Sequence, residues 1–233
     1  MYKGKRVSAI FPAYNEEENI ISAIEDFFTT SVVDEIIVVD NNSKDKTASL
    51  VRQSKAVLVS ESKQGYGFAL QRGLKEATGD FIILAEPDGT FIGKDIFKLL
   101  SYCEDFQMVL GTRTAKELIW HKANMNFFLR FGNVIVAKFL EFLYSGPCLT
   151  DCGCTLRLIN KDALREIEDD FSVGKSHFLP EMVILALKKH IRIIEIPVNY
   201  RPRVGKSKIT GSFLGSLITG LNMIGLIIGY KFR

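Results

Sequence analysis

Phe81-Ile82-Ile83-Leu84-Ala85-Glu86-Pro87-Asp88-Gly89-Thr90 sets an unbroken apolar run directly against two carboxylates separated by a single proline. An apolar run without polar alternation is the pattern of a strand buried on both faces, as in a parallel sheet. Carboxylates at the end of such a strand are costly to bury unless something compensates their charge. Pro-Asp-Gly is also a strong turn sequence, so taken alone the segment reads equally as an acidic turn.

Working outward, apolar or β-branched runs recur at 7–11, 35–39, 56–60 and 108–110. Helical patterns lie between them. Asn15 is placed to cap a helix whose first turn holds Glu16, Glu17 and Glu18, favourable at the positive end of the dipole. Ile20, Ile21, Ile24, Phe27 and Phe28 then share one stripe. Further helices are expected over 46–53, 68–77 and 95–103. Repeated strand–helix–strand units predict an α/β fold: a single Rossmann-like, mostly parallel sheet with flanking helices.

The 233 residues are 47% apolar and carry a net charge of +3. That suits one large domain with a sizeable core and argues against a general polyanion binder, so no nucleic-acid partner is expected. Basic residues do cluster late, at Arg192, Arg201, Arg203, Lys206 and Lys208, with Glu195 the sole acid among them. Such an excess suggests a phosphate-bearing ligand or an anionic membrane surface. Met1 to Lys5 runs straight into the first strand pattern, with no secretory leader, so a cytoplasmic location with reduced thiols is the expectation. Cys148, Cys152 and Cys154 lack a nearby fourth ligand and paired zinc spacing, and read as ordinary thiols.

The second half differs. The 124–144 stretch is long, aromatic and amphipathic, interrupted by Arg130, Lys138 and Glu141; it suits a packing helix or one lying in a membrane interface. A strand over 192–197 and a basic loop over 201–208 follow. The 212–230 segment is uncharged and flanked by Lys208, Lys231 and Arg233. Its length reaches the lower bound for spanning a bilayer, but its serines, glycines and Asn222 favour a helix resting on a membrane or a partner. The expected organisation is an α/β domain over 1–210 and an apolar, membrane-associating helix over 211–233.

Ligands of parallel α/β sheets bind beyond the carboxyl ends of strands. Four polar segments follow strands here: Pro12-Ala13-Tyr14-Asn15-Glu16, Asp40-Asn41-Asn42-Ser43, Lys63-Gln64-Gly65-Tyr66-Gly67 and Glu86-Pro87-Asp88-Gly89-Thr90. The third offers glycines through which backbone can approach a ligand closely. The fourth is suited to a hard divalent cation, Mg²⁺ or Mn²⁺, bridging to a diphosphate. Neither a G-x-G-x-x-G nor a G-x4-G-K-[ST] element is present, which sets aside dinucleotide enzymes and nucleotide triphosphatases.

These segments, in this order and with Ala77-Thr78-Gly79-Asp80, resemble the family-2 glycosyltransferases of GT-A fold. Gly111-Thr112-Arg113, Arg130-x2-Asn133, Asp151-x5-Arg157 and Arg201-x-Arg203-x-Gly205-x-Ser207-Lys208 are similar to the dolichyl-phosphate mannose synthase and polyprenyl-phosphate glycosyltransferase branch. The resemblance implies that Pro12, Tyr14 and Glu16 line the nucleoside pocket, with Val38 and Asp40 on the second strand and Asp40 bonding the base. It implies that Glu86 and Asp88, with Pro87 between them, hold metal and diphosphate. Arg113 and Arg130 would face the phosphate of a lipid acceptor, and Arg201 or Arg203 with Lys208 would close over the donor. Three departures stand out: Glu86 where an aspartate is usual, Thr90 where the mannose synthases often place a glutamine, and Asn41 in place of a second aspartate. The branch adds transmembrane hairpins that this sequence lacks, so a membrane-anchoring subunit or a second copy is a further expected partner, with the protein peripheral on the cytoplasmic face.

The implied reaction is inverting transfer of a sugar from a nucleoside-diphosphate donor (GDP-mannose or a UDP-hexose) to a polyprenyl or dolichyl phosphate. Such an acceptor oxygen is already anionic and needs little general-base help. A sugar-hydroxyl acceptor, as in polysaccharide synthesis, would need a base; Asp151 is the candidate, unless it pairs structurally with Arg157. A catalytically silent subunit binding sugar nucleotide or lipid is the reading from another class.

Overall fold

A computed structural model describes residues 1–205 and 213–232. Its seven-stranded sheet has the order β3-β2-β1-β4-β6-β5-β7. The strands are β1 (Val7–Ala13), β2 (Glu35–Asp40), β3 (Val57–Ser60), β4 (Phe81–Leu84), β5 (Met108–Thr112), β6 (Arg157–Asn160) and β7 (Ile193–Pro197). β6 runs antiparallel between β4 and β5, while β1 pairs in parallel with β2 and β4, β2 with β3, and β5 with β7. The mostly parallel expectation holds, with β6 unforeseen.

Alternate strand residues feed two cores, as a sheet covered on both faces requires. Ala9, Phe11, Ile36 and Val38 pack with Ile20, Ile24 and Phe27 of α1 (Ile20–Phe28) and with α4 (Ile96–Leu100). Ile10, Ile37, Val39 and Leu84 pack on the opposite face against α3 (Tyr66–Glu76), α5 (Phe127–Tyr144) and α7 (Phe178–Lys188). α2 (Thr47–Arg52) and α6 (Lys161–Ile167) complete the layers, and α8 (Phe213–Lys231) lies over α5 and α7. Ile227 and Tyr230 of α8 belong to the same core as α3 and α5, so the C-terminal helix is packed into the domain.

Two local expectations are corrected. Asn15 does not cap α1, which starts at Ile20 after Asn19; Asn15 is left-handed (φ 55°). Its Oδ1 accepts from Lys44 N, its own N–H donates to Ser43 Oγ, and Glu17 bonds Asp45 and Lys46, so the acidic segment is tied to the loop after β2 instead of winding into helix. The Gly65 and Gly67 loop does bring backbone close, but to protein. A Cβ on Gly67 would meet Val173 O at 2.3 Å, and one on Gly65 would meet Gly174 O at 2.2 Å.

Among the described residues no helix is long and apolar enough to cross a membrane. α5 and α8 nevertheless form an apolar slab. Their C-terminal ends meet, with Tyr144 Oη donating to Ile227 O (2.8 Å) and Lys231 Nζ to Leu143 O (2.8 Å). The outer stripes, Phe127, Phe128, Phe131, Ile135 and Phe142 on α5 and Leu217, Ile218, Leu221 and Ile228 on α8, are exposed.

Candidate active site

The carboxyl ends of β1, β2 and β4 open into a cavity of about 770 Å³. Its polar end is lined by Tyr14, Glu16, Asn41, Glu86, Arg113 and Arg203, with Pro12 and Pro87 in its walls. From there it runs between α5 and α8, past Phe128, Leu129, Val136, Leu221 and Ile224.

The 201–204 segment lies on the turn after β4, because Arg201 N donates to Thr90 O (2.9 Å) and Val204 N to Asp88 O (3.1 Å). That docking brings Arg203 across the carboxylates. Its Nη1 is 3.0 Å from Asp88 Oδ2 and its Nη2 is 3.2 Å from Glu16 Oε1. Asp88 is wholly buried, and Thr90 fixes its orientation: Thr90 N and Oγ1 both donate to Asp88 Oδ1, at 3.0 and 2.5 Å. Asp88 Oδ2 makes no hydrogen bond. The Arg203 guanidinium is the ion-pair partner of that buried oxygen, so a cation that reached Asp88 Oδ2 would take the place of Arg203.

Glu86 accepts from Thr155 Oγ1 (3.1 Å), which in turn pairs with Tyr66 Oη (2.6 Å). Burial, and then the neighbouring Asp88 charge, push the Glu86 carboxyl up to about 7. Glu86 faces the cavity, whereas Asp88 lies just behind its lining with Arg203 across it; the raised Glu86 carboxyl marks a concentration of negative charge that a divalent ion would relieve.

Arg113, at the end of β5, is held by Asp151: Nε donates to Oδ2 (2.7 Å) and Nη2 to Oδ1 (2.9 Å), a fork-to-carboxylate pair. Asp151 therefore pairs with Arg113, not Arg157. Arg157 is fully buried and donates to the carbonyls of Cys152, Cys154 and Leu179. With both oxygens taken and no exposure, Asp151 is given to Arg113 rather than to a substrate hydroxyl. Gly153 stands beside this pair, and a Cβ there would lie 3.8 Å from Arg113 Nη2 and 3.5 Å from Met223 Cε of α8. Arg113 is thus at the junction between the polar pocket and the apolar groove.

Other expected site residues are placed differently. Val38 is fully buried in the core and presents nothing to the cavity. Asp40 accepts from Ser43 N (3.3 Å) and lies behind the lining, whereas Asn41 is in it. Asn41 is itself committed, donating to Glu61 O and Lys63 O and accepting from Gly65 N and Gln64 Nε2. Arg201 stacks on Trp120, 4.6 Å from the ring centre, and Arg130 is half-exposed on α5; neither lines the cavity. Lys208 lies outside the described residues. Tyr66, within the expected glycine loop, and Thr155 both line the cavity; Thr155 was not anticipated, because a threonine before β6 carries no motif.

Residues 8–168 match the family model described as Glycosyl transferase family 2. The chain is a family 2 glycosyltransferase. This glycosyltransferase is 26% identical over 229 residues to a dolichyl-phosphate hexose transferase of Haloferax volcanii, covering 97% of this chain and 96% of that one. It is 28% identical over 210 residues to the low-salt glycan biosynthesis hexosyltransferase Agl6 of the same organism, with 87% of this chain covered but about half (49%) of the relative's length. Among solved structures it is similar to glucosyl-3-phosphoglycerate synthase from Mycobacterium tuberculosis in complex with Mn²⁺, UDP and phosphoglyceric acid, with a TM-score of 0.75 at 19% identity, over 98% of this chain and 79% of that one. A complex of the same synthase with Mg²⁺ and UDP gives a TM-score of 0.72, also at 19% identity, over 98% of this chain and 80% of that one. These likenesses establish the GT-A fold.

Proposed function

We propose that this glycosyltransferase moves a hexosyl group, with inversion, from a nucleoside-diphosphate sugar to a polyprenyl or dolichyl phosphate at a membrane surface. The observation that carries the reading is the continuity of the cavity: a polar pocket bearing Glu86, Arg113 and Arg203 runs without a wall into an apolar groove between α5 and α8. A phosphate at Arg113 would leave an attached hydrocarbon chain lying along Phe128, Val136 and Leu221. A curated relative named as a dolichyl-phosphate hexose transferase supports the same acceptor class.

Glu86 and Asp88 are the groups that would hold Mg²⁺ or Mn²⁺, a metal choice supported by the fold neighbours crystallised with those ions and UDP. When bound, such an ion offsets the charge of the departing diphosphate. Pro12, Tyr14 and Glu16 wall the nucleoside side, Asp40 braces the loop that carries Asn41, and Arg203 is positioned to exchange its carboxylate partners for diphosphate oxygens. Arg113, fixed by Asp151, orients the acceptor phosphate, so that positioning supplies much of the catalysis. The exposed slab of α5 and α8, flanked by Lys138 and Lys231, is the surface that rests on an anionic, cytoplasmic membrane face.

The deciding experiment measures nucleoside diphosphate released from UDP-glucose or GDP-mannose with Mn²⁺, comparing farnesyl phosphate, farnesol and 3-phosphoglycerate. Turnover is expected with farnesyl phosphate. Preference for 3-phosphoglycerate would reassign the acceptor to a small phosphorylated acid, and binding without turnover on every acceptor would favour the silent subunit.

A further inference from the structure

Glu195 has no place in the site as the motifs outline it, yet its carboxylate is fully engaged. It stands on β7 opposite Leu110 of β5, the strand whose end supplies Arg113. Its Oε2 accepts from Thr150 N (2.8 Å) and Thr150 Oγ1 (2.6 Å), and its Oε1 accepts from Asp151 N (2.8 Å). Two consecutive backbone N–H groups therefore converge on one carboxylate. This fixes the peptide plane from which the Asp151 side chain springs. Asp151 in turn grips the Nε and Nη2 edge of Arg113 and also accepts from Arg113 N (3.2 Å). A triangle of hydroxyls, Thr112, Thr114 and Thr150, at 2.8 to 2.9 Å, closes the same loop onto the end of β5.

Charge makes this arrangement more than a loop tie. Buried carboxylates are tolerated where charge-assisted hydrogen bonds offset their desolvation. Glu195 receives its offset from N–H and O–H groups alone, which leaves Asp151 as the carboxylate in salt-bridge contact with Arg113. Tyr200, 5.4 Å from the guanidinium, supports its face. Arg113 is thereby held in one rotamer with its remaining edge toward the cavity. A pre-oriented guanidinium fork loses less freedom on gripping a phosphate than a loose one does.

We infer that Glu195 is a positioning residue for the acceptor phosphate, acting through Thr150 and Asp151 to hold Arg113 at the junction of pocket and groove. The inference rests on the reading of Arg113 as the acceptor-phosphate contact given under Proposed function. A substitution at Glu195 should cost recognition of the phosphate while leaving the lipid chain and the donor side alone. Replacement by glutamine removes the charge and turns an NH₂ toward one of the backbone N–H groups, so the loop cannot keep its present bonds.

The test measures binding of farnesyl phosphate and of farnesol, by titration calorimetry, to the full chain and to its Glu195→Gln, Glu195→Asp and Arg113→Lys variants. Thermal melts of each variant check folding. Wild type is expected to prefer farnesyl phosphate. Glu195→Gln should lose about tenfold of that preference, as expected for a hydrogen-bonded charge, with farnesol affinity and UDP–Mn²⁺ affinity unchanged. Glu195→Asp, which keeps the charge, should fall between, and it carries the test if the glutamine variant does not fold. The double variant with Arg113→Lys should lose no more than the larger single loss. If wild type binds the two lipids equally, or Arg113→Lys changes nothing, the acceptor reading itself fails. If Arg113→Lys loses the preference while the folded Glu195 variants keep it, or the two losses multiply, the positioning role is overturned.

Discussion

The two ends of the cavity solve opposite problems. At the polar end, Asp88 and Glu16 already face Arg203, and Asp151 already holds Arg113. A donor entering there must replace contacts that exist, so affinity comes from a difference between two sets of charged pairs. At the other end, Phe128, Phe131 and Leu221 stand exposed beside the groove, and any hydrocarbon that covers them adds contacts without removing any. Selectivity is thus expected from the polar end and attachment from the apolar end. Changes at one end should leave the other end's behaviour intact.

The sharpest break of that comparison is Asp88→Asn. The substitution keeps the shape and the Thr90 bonds but removes the charge that Glu86 cannot supply alone. Nucleoside diphosphate release should fall by about 10²- to 10³-fold, the range for removing one charge-stabilising group. Binding to phosphatidylglycerol vesicles should be unaltered. Undiminished turnover would remove the metal site from this turn. Concurrent loss of vesicle binding would show that the two ends are not independent.

The complementary break is Phe128→Asp combined with Phe131→Asp. Each ring transferred from water into lipid is worth about 1.5–3 kcal/mol, so the pair should weaken vesicle partitioning by about 10²-fold or more. UDP–Mn²⁺ binding should stay at the wild-type level. Flotation with vesicles undiminished by both charges would mean that the slab of α5 and α8 is not the face that meets lipid. These surface substitutions test attachment more cleanly than deletion of residues 212–233, because Ile227 and Tyr230 fill the core.

The contrast also explains what the sequence disclosed. The parallel strands were legible because burial on both faces forbids polar alternation, and the strand ends were legible because carboxylates there need a reason. The antiparallel β6, Arg157–Asn160, was missed because its charged first residue is buried by carbonyl groups that no sequence pattern announces. The Asn15 helix start failed for a related reason. Its capping chemistry was real, but its partners are Lys44 and Ser43 in another loop. At the candidate site, residue types singled out carboxylates and arginines, of which Glu16, Glu86, Arg113 and Arg203 line the cavity, but gave none of their partners. Asp151 was separated from Arg113 by 38 positions and lay nearer to Arg157 in sequence. Glu195 was invisible because its role depends on backbone N–H groups, which every residue has.

The mildest perturbation separates two arginines that motif reading treated alike. Arg113 lines the cavity at its junction with the groove, whereas Arg130 is half-exposed on α5 and lies outside the lining. A charge at the rim of a binding site acts through long-range attraction, which speeds encounter and is screened by salt, rather than through a fixed contact. Arg130→Ala should therefore raise the KM for farnesyl phosphate by only about twofold to threefold at low ionic strength. In about 0.5 M salt, where the screening length falls to a few ångströms, the difference from wild type should vanish. Steady-state kinetics at both ionic strengths distinguishes the two cases. A salt-independent rise as large as that for Arg113→Lys would place the acceptor phosphate against α5 at Arg130 instead of at the Arg113 junction.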